Sequence, residues 1–456
     1  MAGRIIIVSN RVPNPLQGKQ EAGGLVVGVR EAIGDRECIW FGWSGKQIGT
    51  LGTPQLKETR VGNIAYITVD LTVQRYRGFY AGFSNEILWP LCHYRPNLMD
   101  YSRSDWHSYL DVNSFFARQL APLLRPDDTI WVHDYHLIPL GKALRAQNIQ
   151  CKIGFFLHIP FPPWGIFNNL PNADVLLQTF QAYDLVGMQT MRDTTNFVLA
   201  CRNCRIPMHA QAFPIGIDCE EFSKQAATGE DSEEFQQLEK SFKGLSLIVG
   251  VDRLDYSKGL LERFRGYEAF LRRYPEHRRK VSFLQIAPIS RGDVQRYQSL
   301  RRSLEEAVGN INGMYAEMDW TPIRYMTRTV ARSALPALYR LADVALVTPL
   351  RDGMNLVAKE FIAAQDSENP GALVLSRLVG AALELKSALL VNPHDPDEIA
   401  DALNQAVLMS IAERKSRWQA LYQNVSSNTA AAWGKRFLEA LSKEKTNFYE
   451  SEENSL

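Results

Sequence analysis

Unbroken apolar, β-branched runs, separated by longer stretches of helical pattern, constrain this chain more than any other feature of it. In the first half they fall at 4–9, 38–42, 64–69, 129–133, 152–157, 184–188 and 211–215; in the second, at 245–251, 281–287, 343–348, 372–375 and 388–392. A strand with one face in water alternates apolar and polar residues. Most of these runs do not alternate, so they read as strands buried on both faces of a parallel sheet. Their alternation with helical segments implies doubly wound α/β units with right-handed crossovers. The segment 217–242 is polar, acidic and rich in Gln and Glu, follows the turn signal Pro214-Ile215-Gly216, and precedes the fresh strand SLIVGV. It marks the break between two Rossmann-like halves, a division that 456 residues accommodate.

Composition removes several classes of function. With 51 Lys and Arg against 50 Asp and Glu, the net charge is +1. A nucleic-acid binder would carry a basic excess, so no nucleic-acid partner is expected, and any anionic ligand must be met by local charge. The six cysteines are scattered, and Cys201 and Cys204 form one isolated CxxC, which suits ordinary thiols rather than a disulfide framework. The N-terminal run RIIIVS is too short for a signal peptide, and Arg377, Glu384 and Lys386 interrupt the most apolar C-terminal stretch. A soluble, cytoplasmic protein with no membrane partner is expected.

In open α/β sheets, ligands sit beyond the carboxyl ends of the strands. Ser9-Asn10-Arg11 follows the first run, and Ala22-Gly23-Gly24-Leu25 opens the next helix, where glycine lets a ligand near the backbone and the helix N-terminus favours an anion. His133-Asp134-Tyr135-His136 ends the TIWVH run. The two histidines have a metal-like spacing, but no clustered carboxylate or cysteine completes a site, so no metal is expected. A polar quartet at a strand end favours substrate contact for Asp134. His158-Ile159-Pro160-Phe161-Pro162 follows GFFL.

In the second half, Asp252-Arg253-Leu254-Asp255-Tyr256-Ser257-Lys258-Gly259 follows LIVGV. A forked guanidinium and a point-charge ammonium at this spacing suit a diphosphate. Arg272, Arg273, Arg278, Arg279 and Lys280 read instead as a solvated helix face. Arg291 adds a cation after the next run. The most informative stretch is Leu350–Glu360. Gly353 admits close approach, and a helix beginning near 354–357 presents free N–H groups to a phosphate. Asp352 stands before that helix. Glu360, about two turns in, is placed to grip a pair of hydroxyls, with a buried ion pair as the alternative. Trp40, Trp43, Tyr80 and Trp89 are core candidates that would also suit the apolar CH faces of a sugar ring. Together these features imply a nucleotide diphosphate compound held by the second half and a smaller, phosphorylated molecule held by the first, meeting in an interdomain cleft.

SNR, AGGL, WFGWSG, FSN-x-x-LWP, HDYHL, FLHIPFP, FPIGID, DRLDYSKGL, APxSRGDV, DWTPI and TPLRDGMNLVAKE with AAQD occur in this order. In these motifs the chain resembles the trehalose-6-phosphate synthases, retaining glycosyltransferases of the GT-B type. The resemblance implies α/β architecture with two Rossmann-like doubly wound domains facing each other across a deep cleft. The first would comprise 1–218 plus a returning C-terminal helix at about 436–456; the second would comprise 219–435. It implies a UDP-glucose donor, a glucose 6-phosphate acceptor, an α,α-1,1 linkage, and no metal or other cofactor.

By the same resemblance, Gly24, His158, Arg253, Lys258, Asp352, Asn355, Leu356, Val357 and Glu360 bind the donor. Arg11, Trp40, Tyr80, Trp89, Asp134 and Arg291 bind the acceptor, with Arg11 and Arg291 nearest its phosphate. Asp134, His158, Arg253, Lys258 and Asp352 form the catalytic set. The chain departs from the family's pattern at Pro163-Trp164-Gly165 and in a short Cys201–Gln211 stretch. No appended phosphatase domain is expected, and a separate phosphatase is expected to act downstream. The identity of the donor base, the choice of another acceptor such as glycerol 3-phosphate, a non-catalytic sensing role and homo-oligomer formation stay open on the residues alone. A dinucleotide dehydrogenase is disfavoured, because SNR rather than GxGxxG follows the first strand.

Overall fold

The computed structural model describes residues 3–14, 24–49, 52, 54–230, 233–289, 295–331 and 334–444. The chain divides into two compact units. One comprises the N-terminal strand, Gly28–Ile215 and the chain from Ala431; the other comprises 24–27 and Gly216–Ala430.

The first unit is built on eight strands: β1 (Ile5–Arg11), β2 (Cys38–Ile48), β3 (Leu56–Val61), β4 (Ile64–Thr72), β5 (Thr129–His133), β6 (Lys152–Phe156), β7 (Leu185–Met188) and β8 (Ala210–Ala212). Their order is β3-β4-β2-β1-β5-β6-β7-β8. Every pair is parallel except β3 with β4. The centre of the sheet shows why its runs are unbroken: Ile5, Ile6, Ile7 and Val8 of β1 and Ile130, Trp131 and Val132 of β5 are all buried. The second unit has six parallel strands: β9 (Ser246–Val251), β10 (Val281–Ile286), β11 (Ile323–Met326), β12 (Val344–Val347), β13 (Ala372–Ser376) and β14 (Leu389–Val391). Their order is β11-β10-β9-β12-β13-β14.

Two strands are additions to the apolar runs. In β3, LKETRV, all residues but the half-buried Thr59 are exposed, and in β11, IRYM, only Ile323 is buried. Both are edge strands. An edge needs no second buried face and is commonly charged, which erases the apolar signal.

The helix Ala430–Lys443 packs on the first unit. Trp433 and Phe437 lie 4.9 and 4.7 Å from the Trp131 ring. Lys152 donates from Nζ to the carbonyls of Leu441, Ser442 and Glu444, neutralising the carbonyl end of that helix. In the same unit, Tyr76–Leu88 winds with the wide i→i+5 pattern, closed by the Trp89 N–H donating to the Ser84 carbonyl. Such turns are usually single and often carry functional residues; this one carries Tyr80.

Candidate functional site

Each unit gathers polar side chains at the carboxyl ends of its own strands. In the first, β5 ends at His133, and Asp134 follows with φ 75° and ψ 166°. That region is essentially reserved for glycine, and holding another residue there costs about 1–3 kcal/mol. The conformation is imposed locally. The Asp134 N–H donates to the Phe156 carbonyl at 2.8 Å, its own carbonyl accepts from Leu137 at 3.0 Å, and its Oδ1 accepts the His158 N–H at 3.2 Å.

His158 and His133 form a dyad, Nε2 to Nδ1 at 3.1 Å, with their rings stacked. The other His158 nitrogen, Nδ1, faces Gln189 Nε2 at 3.4 Å, and Gln189 Oε1 accepts the Ile215 N–H at 3.1 Å. Burial pushes the His158 imidazole down to about 3. Burial, and then the charge of His158, hold His133 well below the usual imidazole range. Both are therefore neutral near pH 7. Both ring nitrogens of His158 thus have polar partners inside the unit.

The aromatic residues divide. Trp40 is a core residue: it is 1% exposed, its Nε1 donates to Ser9 Oγ at 2.8 Å, and its ring stacks on Tyr66. The register pairs Arg11 with Trp43 instead. Trp43 lies 5.7 Å from Tyr80, which stacks on His136 at 5.8 Å. Trp43, itself 5% exposed, thus stands beside Arg11 and Tyr80, and the register of β2 is irregular between it and Gln47. Trp89 is buried against His93 and Tyr135, and the Tyr135 hydroxyl donates to Asn85 Oδ1 at 2.9 Å. Arg11 itself is exposed at the end of β1.

The second unit brings together charges. Lys258 Nζ donates to Asp352 Oδ2 at 2.6 Å, and the same oxygen accepts Asn355 Nδ2 at 3.1 Å. Burial disfavours the Lys258 ammonium, but the carboxylates of Asp352 and Asp252 outweigh it and raise its pKa, while Arg253 opposes them. Gly259 must be glycine: its φ is 61°, and a Cβ there would stand 2.2 Å from the Thr348 carbonyl oxygen. That close approach seats the 256–259 turn on the end of β12.

Asn355, at φ 76°, caps the helix Leu356–Ala364 by accepting the Ala358 N–H at 3.1 Å. The segment before it is pinned by the Gly380 and Ala381 N–H groups on the carbonyls of Asp352 and Met354. The first-turn N–H groups belong to Leu356 and Val357. Because the helix begins at Leu356, Glu360 stands little more than one turn in, not two, and it is half-buried. Its neighbour Lys359 forms a buried ion pair with Glu384 at 2.6 Å.

A protein-family model described as Glycosyltransferase family 20 matches residues 4–443. The chain belongs to glycosyltransferase family 20. It is a glycosyltransferase. It is 46% identical over 452 residues to a trehalose-6-phosphate synthase of Escherichia coli O1:K1 / APEC, with 96% of this chain and 95% of that protein aligned. An α,α-trehalose-phosphate synthase (UDP-forming) of Burkholderia xenovorans, solved in complex with glucose-6-phosphate, is 46% identical and superposes with a TM-score of 0.93 over 96% of this chain and 100% of its own. The E. coli protein solved with UDP-2-fluoro glucose is 45% identical with a TM-score of 0.93, covering 98% and 100%. The two parallel-dominated sheets are those of the GT-B fold.

Among the family-20 positions singled out in the sequence, the structure brings Lys258, Asp352 and Asn355 into direct contact, and Asp134 onto His158. Arg253 is exposed beside them. Gly24 opens the helix Gly24–Ile33, and Arg291 lies outside the described residues. Trp164 of the departing Pro163-Trp164-Gly165 stretch starts a short helix, Trp164–Phe167. Among the described residues, no group of three or more His, Cys, Asp or Glu is placed to hold a metal.

Proposed function

We propose that this chain transfers glucose from UDP-glucose to glucose 6-phosphate, giving α,α-trehalose 6-phosphate and UDP with retention at the transferred carbon. The observation that carries the reading is the Lys258–Asp352 contact beneath a capped helix N-terminus. It supplies an ammonium and first-turn N–H groups for a diphosphate, and a carboxylate for sugar hydroxyls. When donor binds, the diphosphate takes Lys258 as a partner and Asp352 turns to the glucose. Arg253 shares the phosphate charge, Glu360 holds the ribose, and Gly24 gives its backbone to the phosphates. Arg11, Trp43, Tyr80, Trp89 and Asp134 hold the acceptor, with Arg291 joining Arg11 at its phosphate.

The bond from the glucose anomeric carbon to the UDP oxygen breaks as the acceptor's anomeric hydroxyl bonds to that carbon on the same face. The hydroxyl proton passes to the departing phosphate oxygen. At a pKa of about 3, His158 is too weak a base to compete for it. Positioning and stabilisation of the leaving charge carry the rate. No step calls for a metal or other cofactor.

Cytoplasmic residence belongs to the same reading: all six cysteines are free, and no helix among the described residues is long and apolar enough to cross a membrane. So does a separate phosphatase consuming the product.

The test is nucleotide release by the purified protein with glucose 6-phosphate and UDP-, ADP- or GDP-glucose, with NMR of the product. Release with UDP-glucose and an α,α-1,1 phosphodisaccharide is the expected result. Release only with another acceptor, such as glycerol 3-phosphate, would overturn the acceptor assignment, and absence of release with any pair would overturn transfer itself.

A further inference from the structure

Arg263, in the helix Leu260–Arg273, is 0% exposed. A guanidinium so placed must be fully paired. Its Nη2 donates to Asp252 Oδ2 at 2.7 Å and to the Lys258 carbonyl at 3.4 Å, its Nε to Thr348 Oγ1 at 3.0 Å, and its Nη1 to Gln285 Oε1 at 2.9 Å. Asp252 directly follows β9, Gln285 lies in β10, and Thr348 directly follows β12. These are three neighbouring strands of the sheet. Gly250 of β9 leaves the passage open, since a Cβ there would stand 2.8 Å from Arg263 Nη1. Gln285 keeps its oxygen toward Arg263 by donating Nε2 to the Ile286 carbonyl at 3.0 Å.

These contacts complete an alternating row of charge: Asp352, Lys258, Asp252, Arg263. The groups that bear on Asp252 are Arg263, Lys258 and Asp352. Asp252 is a buried carboxylate that attracts the Lys258 ammonium, and Arg263 is the cation that satisfies it by direct contact. Resting on the donor reading above, we propose that Arg263 is a positioning residue for the sugar-nucleotide diphosphate. By neutralising Asp252 and bonding the Lys258 carbonyl, it reserves the Lys258 ammonium for Asp352 and for the leaving phosphate.

The experiment compares UDP release by the parent, Arg263→Met, Arg263→Met/Asp252→Asn and Arg263→Lys across about pH 5.5 to 8.5, with thermal unfolding of each. An inactive parent would defeat the donor reading and not this one. In an active parent background, Arg263→Met is expected to lower kcat at least about tenfold near pH 8, as an uncompensated Asp252 draws Lys258 away. Part of the loss is regained toward the acid end as Asp252 takes up a proton. The double variant, with no buried carboxylate left over, is expected to return to within about threefold of the parent at every pH.

A merely structural Arg263 would lower the unfolding temperature without an acid-side recovery and without rescue. Parent-like kcat and KM in Arg263→Met, or a double variant no more active than Arg263→Met, would overturn the proposal. Should Arg263→Met not accumulate as folded protein, the other two variants decide. Arg263→Lys, which keeps the charge, and the double variant are both expected to be active. A folded double variant with less than about a hundredth of the parent kcat would overturn it.

Discussion

The carboxyl edges of the two sheets are built on opposite electrostatic plans. At the first, Asp134 accepts the main-chain N–H of His158, which pairs with His133 as two neutral imidazoles, and the surroundings are aromatic. At the second, Asp352, Lys258, Asp252 and Arg263 alternate in sign. One edge, with Arg11 exposed at the end of β1, suits a polyhydroxylated ring with an anionic substituent, recognised largely by shape and hydrogen bonds. The other suits a group whose charge changes as it leaves. What the edges share is a strained non-glycine residue, Asp134 in one and Asn355 in the other, each at positive φ. Strain of this kind persists only where surrounding bonds over-determine it.

The comparison is sharpest at the charged edge. Lys258→Ala is expected to lower kcat by about 10³-fold, the scale of losing one preorganised electrostatic contact in a transition state, with a smaller change in acceptor KM. Steady-state kinetics with each substrate varied in turn checks this, and turnover within a few-fold of the parent would break the assignment of charge handling to the second unit.

At the other edge, Asp134 separates strain from chemistry. Asp134→Gly and Asp134→Ala should each lose about 10²-fold in kcat. Glycine relieves the φ of 75° and alanine does not. In thermal unfolding, the glycine variant is therefore expected to be the more stable of the two by about 1–2 kcal/mol. The reverse order would mean that the backbone there is not strained.

The neutral dyad makes a prediction about pH. His133 and His158 have native pKa values below their unfolded ones. The unfolded chain therefore binds more protons, and the stability that depends on their neutrality is present above about pH 6.5 and lost as pH falls toward 3. Each contributes a slope of up to about 1.4 kcal/mol per pH unit in that window. Urea midpoints of the parent should fall between pH 6.5 and 4.5 more steeply than those of His133→Gln. Equal slopes would show that the dyad is not held neutral. The smallest effect concerns Trp40. Trp40→Phe removes the bond to Ser9 and should cost about 1 kcal/mol with acceptor KM unchanged, whereas Trp43→Phe should raise that KM. A raised KM in Trp40→Phe would restore it to the acceptor contacts.

Much of this was legible in the residues because burial on both faces writes itself as an unbroken run. It failed where burial is one-sided: β3 and β11 carry charges along an edge and leave no run. The motif segments drew attention to Lys258 and Asp352, but only the fold shows that they touch across 94 positions. Trp40 and Trp43 flank one Phe-Gly pair and are both buried, and only the fold shows that Trp40 bonds Ser9 while Trp43 neighbours Arg11 and Tyr80. Arg263 went unremarked inside LLERFRGY. It falls in the apolar stripe of Leu260, Phe264 and Tyr267, so a charge on the wrong face of an amphipathic helix was the available signal. The neutrality of the histidines had no such signal, because it comes from packing by Trp131, Phe156 and Trp433 rather than from neighbours in sequence.

The helix Ala430–Lys443 gives the first unit a late deadline. Trp131 of β5 is covered by Trp433 and Phe437, which the ribosome adds some three hundred residues afterwards. The bulk of the second unit, Gly216–Ala430, is by contrast made in one uninterrupted stretch. During synthesis, the half that starts first must therefore wait with an open apolar patch while the other half completes. Translation speed and chaperone cover during that interval will govern yield more than the equilibrium stability of either unit.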